Sequence, residues 1–506
     1  MEEIRVGILH SLSGTMASSE MHLVDAALFA IDEINKKGGV LSKQLIGIVE
    51  DSCSNDNISK LKVEKLLAQD GVHVVSGCWT SSSRKAVQEI INDKNVFLLY
   101  PVQYEGLEEN QNILYSGSCL NQQISPAIEW CITHGKENFY LVGSDYVFPR
   151  TANALIKSIL MDHGANILGE DYLPLGGTDF KEIAKSIKFT EPDIVINTIN
   201  GESNAGFFSH YNKSGNEFPV MSFSISEHDL HNLGIQNATH YLCWSYFQNL
   251  DNKVNRRFLR DFGKYNKINP IVSDPMVMTY SQIRLWSQAV EEAESLDIEA
   301  VRAHLHGQRL NSPAGLLEVM PNNHILKSTF ISKQTSDKKF EVIWKSDKRI
   351  KPKPWLGMED MELPSAKLVL DALAQYPNLI HLNTALQTVN RELNKAKKEL
   401  EKHREHLEEL VEERTTELAK SEEKFRFLFE NTTVGIVISN SSGKIYTLNK
   451  AASNITNYTL DKFSKINLRE IYVNSEEGNR FFNILKQDGK VENFEVLLKR
   501  QDDETY

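Results

Sequence analysis

Three segments of the chain combine aromatic residues with small polar residues, a combination suited to holding a small polar molecule. Residues 77–84 read GCWTSSSR, residues 99–106 read LYPVQYEG, and residues 143–150 read GSDYVFPR. Tryptophan and tyrosine supply flat walls with a polar edge, and a serine hydroxyl both donates and accepts hydrogen bonds. A single serine run of this kind is more often a helix N-cap, and a tyrosine pair is more often core packing. The occurrence of three such segments indicates a binding site.

The sequence lacks the patterns typical of enzymes and metal sites. It contains no HExxH, GxSxG or phosphate-binding P-loop motif. The cysteines are scattered without CxxC spacing, which predicts reduced thiols and neither disulfides nor a zinc site; they are Cys53, Cys78, Cys119, Cys131 and Cys243. His403 and His406 are not followed by the nucleotide-binding motifs of a kinase. We predict no catalytic residue, no metal and no cofactor in this chain.

The three segments must be positioned by the elements that precede them. Up to about residue 363, short apolar runs such as 4–9, 45–50 and 138–143 alternate with amphipathic helical stretches. This alternation predicts parallel sheets covered by helices, with ligands bound beyond the carboxyl ends of the strands. The loop at residues 11–15, SLSGT, follows the first strand and is a further candidate for contact with a polar ligand. Because about 360 residues exceed one such sheet, the predicted fold class is α/β with two lobes.

A heptad pattern follows the two predicted lobes. Its apolar seam is Leu382, Leu386, Val389, Leu393, Ala396, Leu400, His403, Leu407, Val411, Arg414, Leu418, Ser421, Phe425 and Leu428. This seam predicts a parallel dimeric coiled coil, although a solvated single helix is the alternative. Two successive steps of four residues at Leu407 and Val411 form a stutter, which locally unwinds the supercoil. We expect Tyr376-Pro377 to interrupt the helix and form a joint before the coil.

The overall composition bears on partners and compartment. The formal net charge is −12, which argues against nucleic acid or an anionic membrane as the main partner. No stretch approaches the ~20 apolar residues of a membrane span. The start, MEEIRVGIL, lacks the basic and apolar regions of a secretory signal, which predicts a cytoplasmic protein if the chain begins there.

Several long segments carry a resemblance to a known family. LHSLSGTMA (9–17), GCWTS (77–81), YPVQYEG (100–106) and GSDY (143–146) resemble the urea-binding receptors of bacterial ABC transporters and the amide-sensing regulators of amidase operons. NGESN (200–204), SFSI (222–225) and WSYF (244–247) do so as well. The resemblance implies a type I periplasmic-binding-protein fold over residues 1–363, with two Rossmann-like lobes closing over the ligand. Lobe 1 would comprise about 1–120 and 249–320, and lobe 2 about 121–248 and 321–363.

The same resemblance assigns binding roles. It implies that Ser81 binds the ligand and that Tyr100 and Tyr146 form walls of the pocket from opposite lobes. Val102 stands where the amide regulator has a hydroxyl residue, which favours the urea branch. The remaining candidates are Trp79, Tyr104, Asp145, Glu202, Glu227 and Asp274. Urea has four N–H donors and one carbonyl acceptor, so carboxylates with Ser81 would complement it; a solvent-facing or capping role is equally plausible for Glu202, Glu227 and Asp274 taken singly.

The C-terminal segment resembles a PAS domain at 427–506, preceded by a linker and coiled-coil helix at 364–426. EERTTEL (412–418) and EEKFRFLF (422–429) are similar to the usual lead-in helix, and GIVIS (435–439) with KIYTL (444–448) predicts the first hairpin. Helices are expected at 449–455, 460–463 and about 476–486, and a strand at 491–498. The domain is expected to be incomplete, since about two further strands would be needed.

These observations together predict a sensor of urea or a short amide. Lobe closure would be relayed through a homodimeric coil to the PAS domain and to a downstream output, such as a histidine kinase of a two-component system or a diguanylate cyclase. The alternatives are the substrate-binding component of a urea or amide transporter and an amidase-operon-type regulator.

Overall fold

The protein is described by a computed structural model that covers residues 3–235, 239–267, 271–335, 339–358, 366–502 and 504–505. In chain order, the strands are β1 (Glu3–His10), β2 (Gln44–Asp51), β3 (Val74–Gly77), β4 (Phe97–Tyr100), β5 (Ile113–Tyr115), β6 (Asn138–Ser144), β7 (Asn166–Leu173), β8 (Ile194–Thr198), β9 (Val220–Ser222), β10 (His240–Trp244), β11 (Arg309–Ser312), β12 (Gly315–Val319), β13 (Ile325–Leu326), β14 (Phe330–Gln334), β15 (Phe340–Lys345), β16 (Val437–Ser439) and β17 (Ile445–Leu448).

The helices alternate with these strands over much of the chain. They are α1 (Ala17–Asn35), α2 (Asp56–Ala68), α3 (Ser81–Asp93), α4 (Leu120–Thr133), α5 (Val147–Asp162), α6 (Lys181–Thr190), α7 (Ser203–Lys213), α8 (Glu227–Asn232), α9 (Lys253–Asn266), α10 (Asp274–Ala293), α11 (Ile298–Leu305), α12 (Ala366–Asn431), α13 (Lys450–Thr456), α14 (Leu460–Phe463) and α15 (Ser475–Asp488).

Lobe 1 is built on a sheet of five parallel strands in the order β2-β1-β3-β4-β5. Its strands are rich in Val, Ile and Leu and are largely buried, as expected for a parallel sheet covered on both faces. Helices α1 and α10 pack together on this sheet, and Phe29 of α1 contacts Phe258, Phe262 and Tyr280. The later helices α9–α11 therefore return to the core of the first lobe.

Lobe 2 contains a seven-stranded sheet in the order β15-β14-β10-β9-β8-β6-β7. Strands β6 to β10 are parallel, whereas β14 and β15 form an antiparallel edge. Two apolar clusters, one around Phe139 and one around Phe207, make up its core. The predicted α/β fold with two lobes is confirmed. The antiparallel edge and the small sheet β11-β12-β13 are additions that the alternation of strands and helices does not predict.

Three crossovers connect the lobes: between β5 and α4, between β10 and α9, and between β13 and β14. Hydrogen bonds tie these crossovers to one another, and the Ser118 hydroxyl of the first is hydrogen-bonded to the Ser245 hydroxyl of the second at 3.0 Å. The Lys327 ammonium donates to the carbonyl of Ser116 at 2.5 Å. The Asp274 carboxylate accepts backbone N–H groups of Ser245 and Tyr246. Because burial disfavours charge, the pKa of Asp274 is raised to about 6 and the pKa of Lys327 is lowered to about 8.

Helix α12 extends from Ala366 to Asn431 as one element and is shared by two compact units, Met1–Val389 and Asn390–Tyr506. The prediction of a long helix is confirmed. The prediction that Tyr376-Pro377 interrupts it is wrong, because the helix runs through both residues. Proline lacks the N–H for one helical hydrogen bond, but the residues on both sides favour a helix, and the helix continues past the missing bond. Pro364, at which the predicted linker begins, lies outside the described residues.

The C-terminal unit contains the antiparallel hairpin β16-β17, helices α13–α15 and a 3₁₀ helix at Leu468–Ile471. The hairpin and the three helices agree with the prediction. The expected strand at 491–498 is wrong: of these described residues, Leu498 alone pairs, through an isolated bridge to Tyr472. Asn493 adopts a left-handed conformation with φ of 52°, which breaks the extended run. In the described part of the chain, no helix has the length and apolar character that a bilayer span requires.

Candidate functional site: the cleft between the lobes

Ser81 begins helix α3, directly after the end of β3. Thr80 caps this helix by accepting the N–H of Ser83 at 3.1 Å, so Ser81 is released from the capping role. The Ser81 side chain is buried, and its hydroxyl donates to the Glu105 carboxylate. It also accepts a hydrogen bond from Nη1 of Arg84 at 3.2 Å. Ser81 is thus held in one orientation at the floor of the cleft.

A buried set of four charged residues surrounds this serine. Arg84 Nη2 lies 2.8 Å from Glu105, and Arg84 Nε lies 3.2 Å from Glu108. Lys85 lies 2.9 Å from Glu108. Burial raises the pKa of Glu108, but Arg84 and Lys85 outweigh that effect and lower it to about 2. The four formal charges balance, and the Glu108 carboxylate remains ionised at neutral pH.

Aromatic rings form the wall of the cleft on lobe 1. The Tyr100 hydroxyl donates to the backbone carbonyl of Trp79 at 2.6 Å, which anchors the Tyr100 ring beside this residue. The guanidinium of Arg84 lies 5.0 Å from the centre of the Tyr100 ring and 4.7 Å from that of Tyr104. Tyr104 stacks on Tyr115 with ring centres 4.8 Å apart. Burial is the main cause that raises the pKa of Tyr100, so its hydroxyl stays protonated.

Lobe 2 contributes Tyr146 and Asn200 to the same place. Nε1 of Trp79 donates to Oδ1 of Asn200 across the cleft at 3.4 Å, and Tyr146 is hydrogen-bonded to Asn200. The pKa of Tyr146 is raised, first by burial and then by the nearby Tyr100 and Glu105. The structure therefore brings together Trp79, Ser81, Tyr100 and Tyr146, the hydroxyl and aromatic residues of the three predicted segments.

Other hydrogen bonds hold the lobes against each other. Gln103 donates to Ser224 at 3.2 Å, and Ser19 donates to Asp229 at 2.8 Å. The backbone N–H of Glu202 donates to the carbonyl of Thr15 at 3.2 Å. The lobes are closed in this structure.

The first loop, residues 11–15, uses its polar groups within the protein. The Ser11 hydroxyl donates to Glu20 at 2.8 Å, and the Ser13 hydroxyl donates to Asp51 at 2.8 Å. Its last residue, Thr15, contacts lobe 2. This loop serves to shape the edge of the cleft.

The predicted acidic residues are paired or placed as follows. Asp145 pairs with Arg150 at 3.0 Å, and Glu202 is exposed. Asp274 accepts N–H groups of the crossover between β10 and α9. Glu227 accepts the N–H of Gln248 at 3.0 Å and lines a separate cavity of about 560 Å³ with Leu230, Ile235, Leu259, Ile271 and Phe340. Burial raises the pKa of Glu227 to about 8.

The two remaining candidates lie in the core of lobe 1. Val102 and Tyr104 are both buried there, and Tyr104 reaches the cleft charges through Arg84. The residues that sequence reasoning missed are Arg84, Glu105, Glu108 and Asn200. Arg84 lies three residues after Ser81 on one helix face, a spacing that could have indicated it. Its pairing with Glu105 depends on the tertiary fold. Within the described ranges, no group of three His, Cys, Asp or Glu side chains is arranged to hold a metal ion.

Comparison with known proteins is consistent with this arrangement. Residues 4–361 match the periplasmic binding protein domain family, and residues 433–506 match the PAS domain family. Among solved structures, the solute-binding protein of an ABC transporter from R. palustris in complex with 4-hydroxybenzoate superimposes with a TM-score of 0.64 at 21% identity, covering 69% of this chain and 98% of that one. At this identity the likeness shows the fold alone.

Two sequence relatives match shorter stretches. The Leu/Ile/Val-binding protein BraC3 of Rhizobium johnstonii is 24% identical over 200 residues, 38% of this chain and 53% of that protein. Limonene hydroxylase of Geobacillus stearothermophilus is 32% identical over 117 residues, 23% of this chain and 22% of that protein. The chain thus spans about half or less of the length of these relatives. The matched family extends over most of the chain, and neither matched domain is an enzyme domain. The chain belongs to the periplasmic binding protein domain family, with a type I fold, and carries a PAS domain at its C-terminal end.

Proposed function

We propose that this chain is a cytoplasmic sensor module that binds urea or a short amide between its lobes and relays closure through a dimeric coiled coil to the PAS domain. The observation that carries the proposal is the convergence of Ser81, Trp79, Tyr100 and Tyr146 from three strand-end loops of both lobes. A downstream histidine kinase or diguanylate cyclase would be the output.

The chemistry of the cleft supports an amide ligand. The Tyr146 hydroxyl can donate to a carbonyl oxygen, while Asn200 and the hydroxyl oxygens of Ser81 and Tyr146 can accept N–H groups; the proton of Ser81 is already donated to Glu105. The rings of Trp79 and Tyr100 provide flat surfaces that match a planar amide. Hydrogen bonds link Trp79 to Tyr100, Trp79 to Asn200 and Asn200 to Tyr146, so the side chains proposed to contact the ligand lie close together, as a small ligand requires.

The surface of α12 supports the relay. Along this helix the predicted seam is exposed: Leu393 is 63% exposed and Leu400 is 69% exposed. A row of exposed leucines on one face is stable in water when a second helix covers it. A transporter component would have no use for this helix or for a PAS domain, so sensing is favoured over transport.

Calorimetric titration of the full chain with urea, acetamide, formamide, leucine and 4-hydroxybenzoate tests the ligand. We expect binding of urea or an amide, weakened at least about tenfold in Ser81→Ala and in Tyr146→Phe, since each removes a hydrogen bond from a buried site worth roughly 1–3 kcal/mol. Ser464→Ala and Tyr446→Phe, exposed positions in the C-terminal unit, are the matched controls. Binding of leucine or 4-hydroxybenzoate alone would overturn the assignment.

A further inference from the structure

The cleft contains a carboxylate of its own at a position that favours negative charge. The Glu105 side chain is fully buried, lies against the first turn of α3 and accepts the Ser81 hydroxyl. The N-terminus of a helix attracts anions, because its first N–H groups and its dipole point toward them. In this cleft the Glu105 carboxylate is the anion beside the N-terminus of α3.

Arg84, the cation beside Ser81, is already occupied. Its Nε donates to Glu108, its Nη1 donates to Ser81, and its Nη2 donates to Glu105 and, at 3.4 Å, to Glu108. An arginine binds a ligand carboxylate through a pair of parallel N–H groups, and here those groups point at two glutamates. The planes of Tyr100 and Tyr104 flank the guanidinium, which further limits its reorientation.

We infer that Glu105 determines ligand charge: it takes the place of a ligand carboxylate beside Ser81 and Arg84, so the cleft selects uncharged hydrogen-bonding ligands over carboxylates. The inference rests on the proposed function only in locating the ligand beside Ser81; it does not depend on the ligand being urea. A carboxylate entering the cleft would meet Glu105, and the described cations beside it, Arg84 and Lys85, are already paired with glutamates and cannot compensate for the burial of its charge.

This charge selection would distinguish the chain from proteins of similar fold. The R. palustris protein is described in complex with 4-hydroxybenzoate, and the BraC3 relative is named for leucine, isoleucine and valine. All these ligands have a carboxylate. In this chain, the buried Glu105 provides specificity against such ligands by repulsion.

The test compares uncharged and anionic partners of the same shape on the full wild-type chain. The pairs are acetamide with acetate, isovaleramide with isovalerate, and 4-hydroxybenzamide with 4-hydroxybenzoate, measured by calorimetry at pH 7. We expect the amide of a bound pair to bind at least about tenfold more tightly than the acid, because the carboxylate of the acid would be buried next to the carboxylate of Glu105. Tighter binding of the acid in any pair would overturn the inference.

The variant Glu105→Gln tests the residue itself. It keeps the shape of the side chain, leaves Arg84 paired with Glu108 and gives the cluster a net positive charge. We expect the ratio of amide to acid affinity to fall about tenfold or more. Glu50→Gln is the matched control, because Glu50 is a buried glutamate of the same lobe that pairs with two lysines, Lys62 and Lys65, outside the cleft.

An unchanged ratio in folded Glu105→Gln would contradict the role of this residue. If that variant fails to fold, Glu108→Gln removes one negative charge from the same cluster, and the same fall in the ratio is expected. The ligand assignment is tested separately: tight binding of 4-hydroxybenzamide without urea binding would overturn the urea proposal and support charge selection. Urea binding together with tighter binding of acetate than of acetamide would support the urea proposal and overturn charge selection.

Discussion

At the scale of single residues, the environment of each side chain separates the cleft from its surroundings. Ser81, Tyr100 and Tyr146 keep protonated hydroxyls in a buried place, and the nearby carboxylates of Glu105 and Glu108 are each bound by Arg84. Glu227 differs, because it is buried and no cation of the described residues pairs with it, and burial raises its pKa to about 8.

This raised pKa predicts a pH-dependent stability that Glu227→Gln removes. The ordinary pKa is 4.5, so between about pH 4.5 and 8 the unfolded chain releases a proton that the folded chain retains. The wild type therefore loses stability as the pH rises through this window. We expect the melting temperature of Glu227→Gln minus that of the wild type to increase from pH 5 to pH 8. Glu202→Gln, at an exposed carboxylate, should show no such trend. A constant difference for Glu227→Gln would contradict the prediction.

The hydroxyl and aromatic members of the cleft could be predicted from sequence, whereas its charges could not. Ser81, Tyr100 and Tyr146 follow strand ends, and the ends of parallel strands meet at one edge of the sheet. The direction of a carboxylate depends instead on which cation the fold places beside it. Asp145 pairs with Arg150 and Glu105 with Arg84, and neither choice is visible in the spacing of the residues alone.

At the scale of elements, helix α12 exposes a row of apolar side chains, which predicts that a second helix covers them. Its heptad pattern predicted the long helix. The joint predicted at Tyr376-Pro377 was wrong, because the tendency of a single proline to end a helix is outweighed by the helix-forming residues on both sides. The dimer itself stays a prediction.

We expect the double variant Leu393→Asn, Leu400→Asn to shift the full chain toward monomer. Each substitution places an amide in the proposed apolar seam and weakens a coiled coil by about 1 kcal/mol or more. Sedimentation equilibrium measures the dissociation constant, which should rise at least about tenfold. Lys398→Asn, an exposed position outside the seam, is the control. A wild type that sediments as a monomer at all concentrations would refute the dimer.

At the scale of the whole ligand-binding unit, closure is an equilibrium that contacts remote from the ligand can bias. The bond from Ser19 to Asp229 joins the lobes and is one of several such links. Ser19→Ala should favour the open form and weaken ligand binding about two- to fivefold, since a hydrogen bond contributes roughly 0.5–1.5 kcal/mol. Calorimetry measures the affinity, and small-angle scattering should show a larger ligand-free radius of gyration.

The neighbouring Ser18 supplies the control for this experiment. Its hydroxyl is buried and makes no hydrogen bond within the described part of the chain, so Ser18→Ala should leave the affinity unchanged. Equal affinity losses in both variants would indicate a packing effect and contradict the role of the Ser19 contact.

The bonds among the three crossovers have a consequence for the kind of signal that can leave this unit. The Lys327 ammonium, in the third crossover, donates to a carbonyl of the first. The Asp274 carboxylate, on helix α10, accepts two N–H groups of the second. We expect crossovers bonded together in this way to move together, so that opening and closing follow a single path with a set amplitude. A tighter ligand would then make the closed state more frequent without making it more closed. Signal strength would then depend on the fraction of molecules that are closed, and the extent of closure would be the same for every ligand.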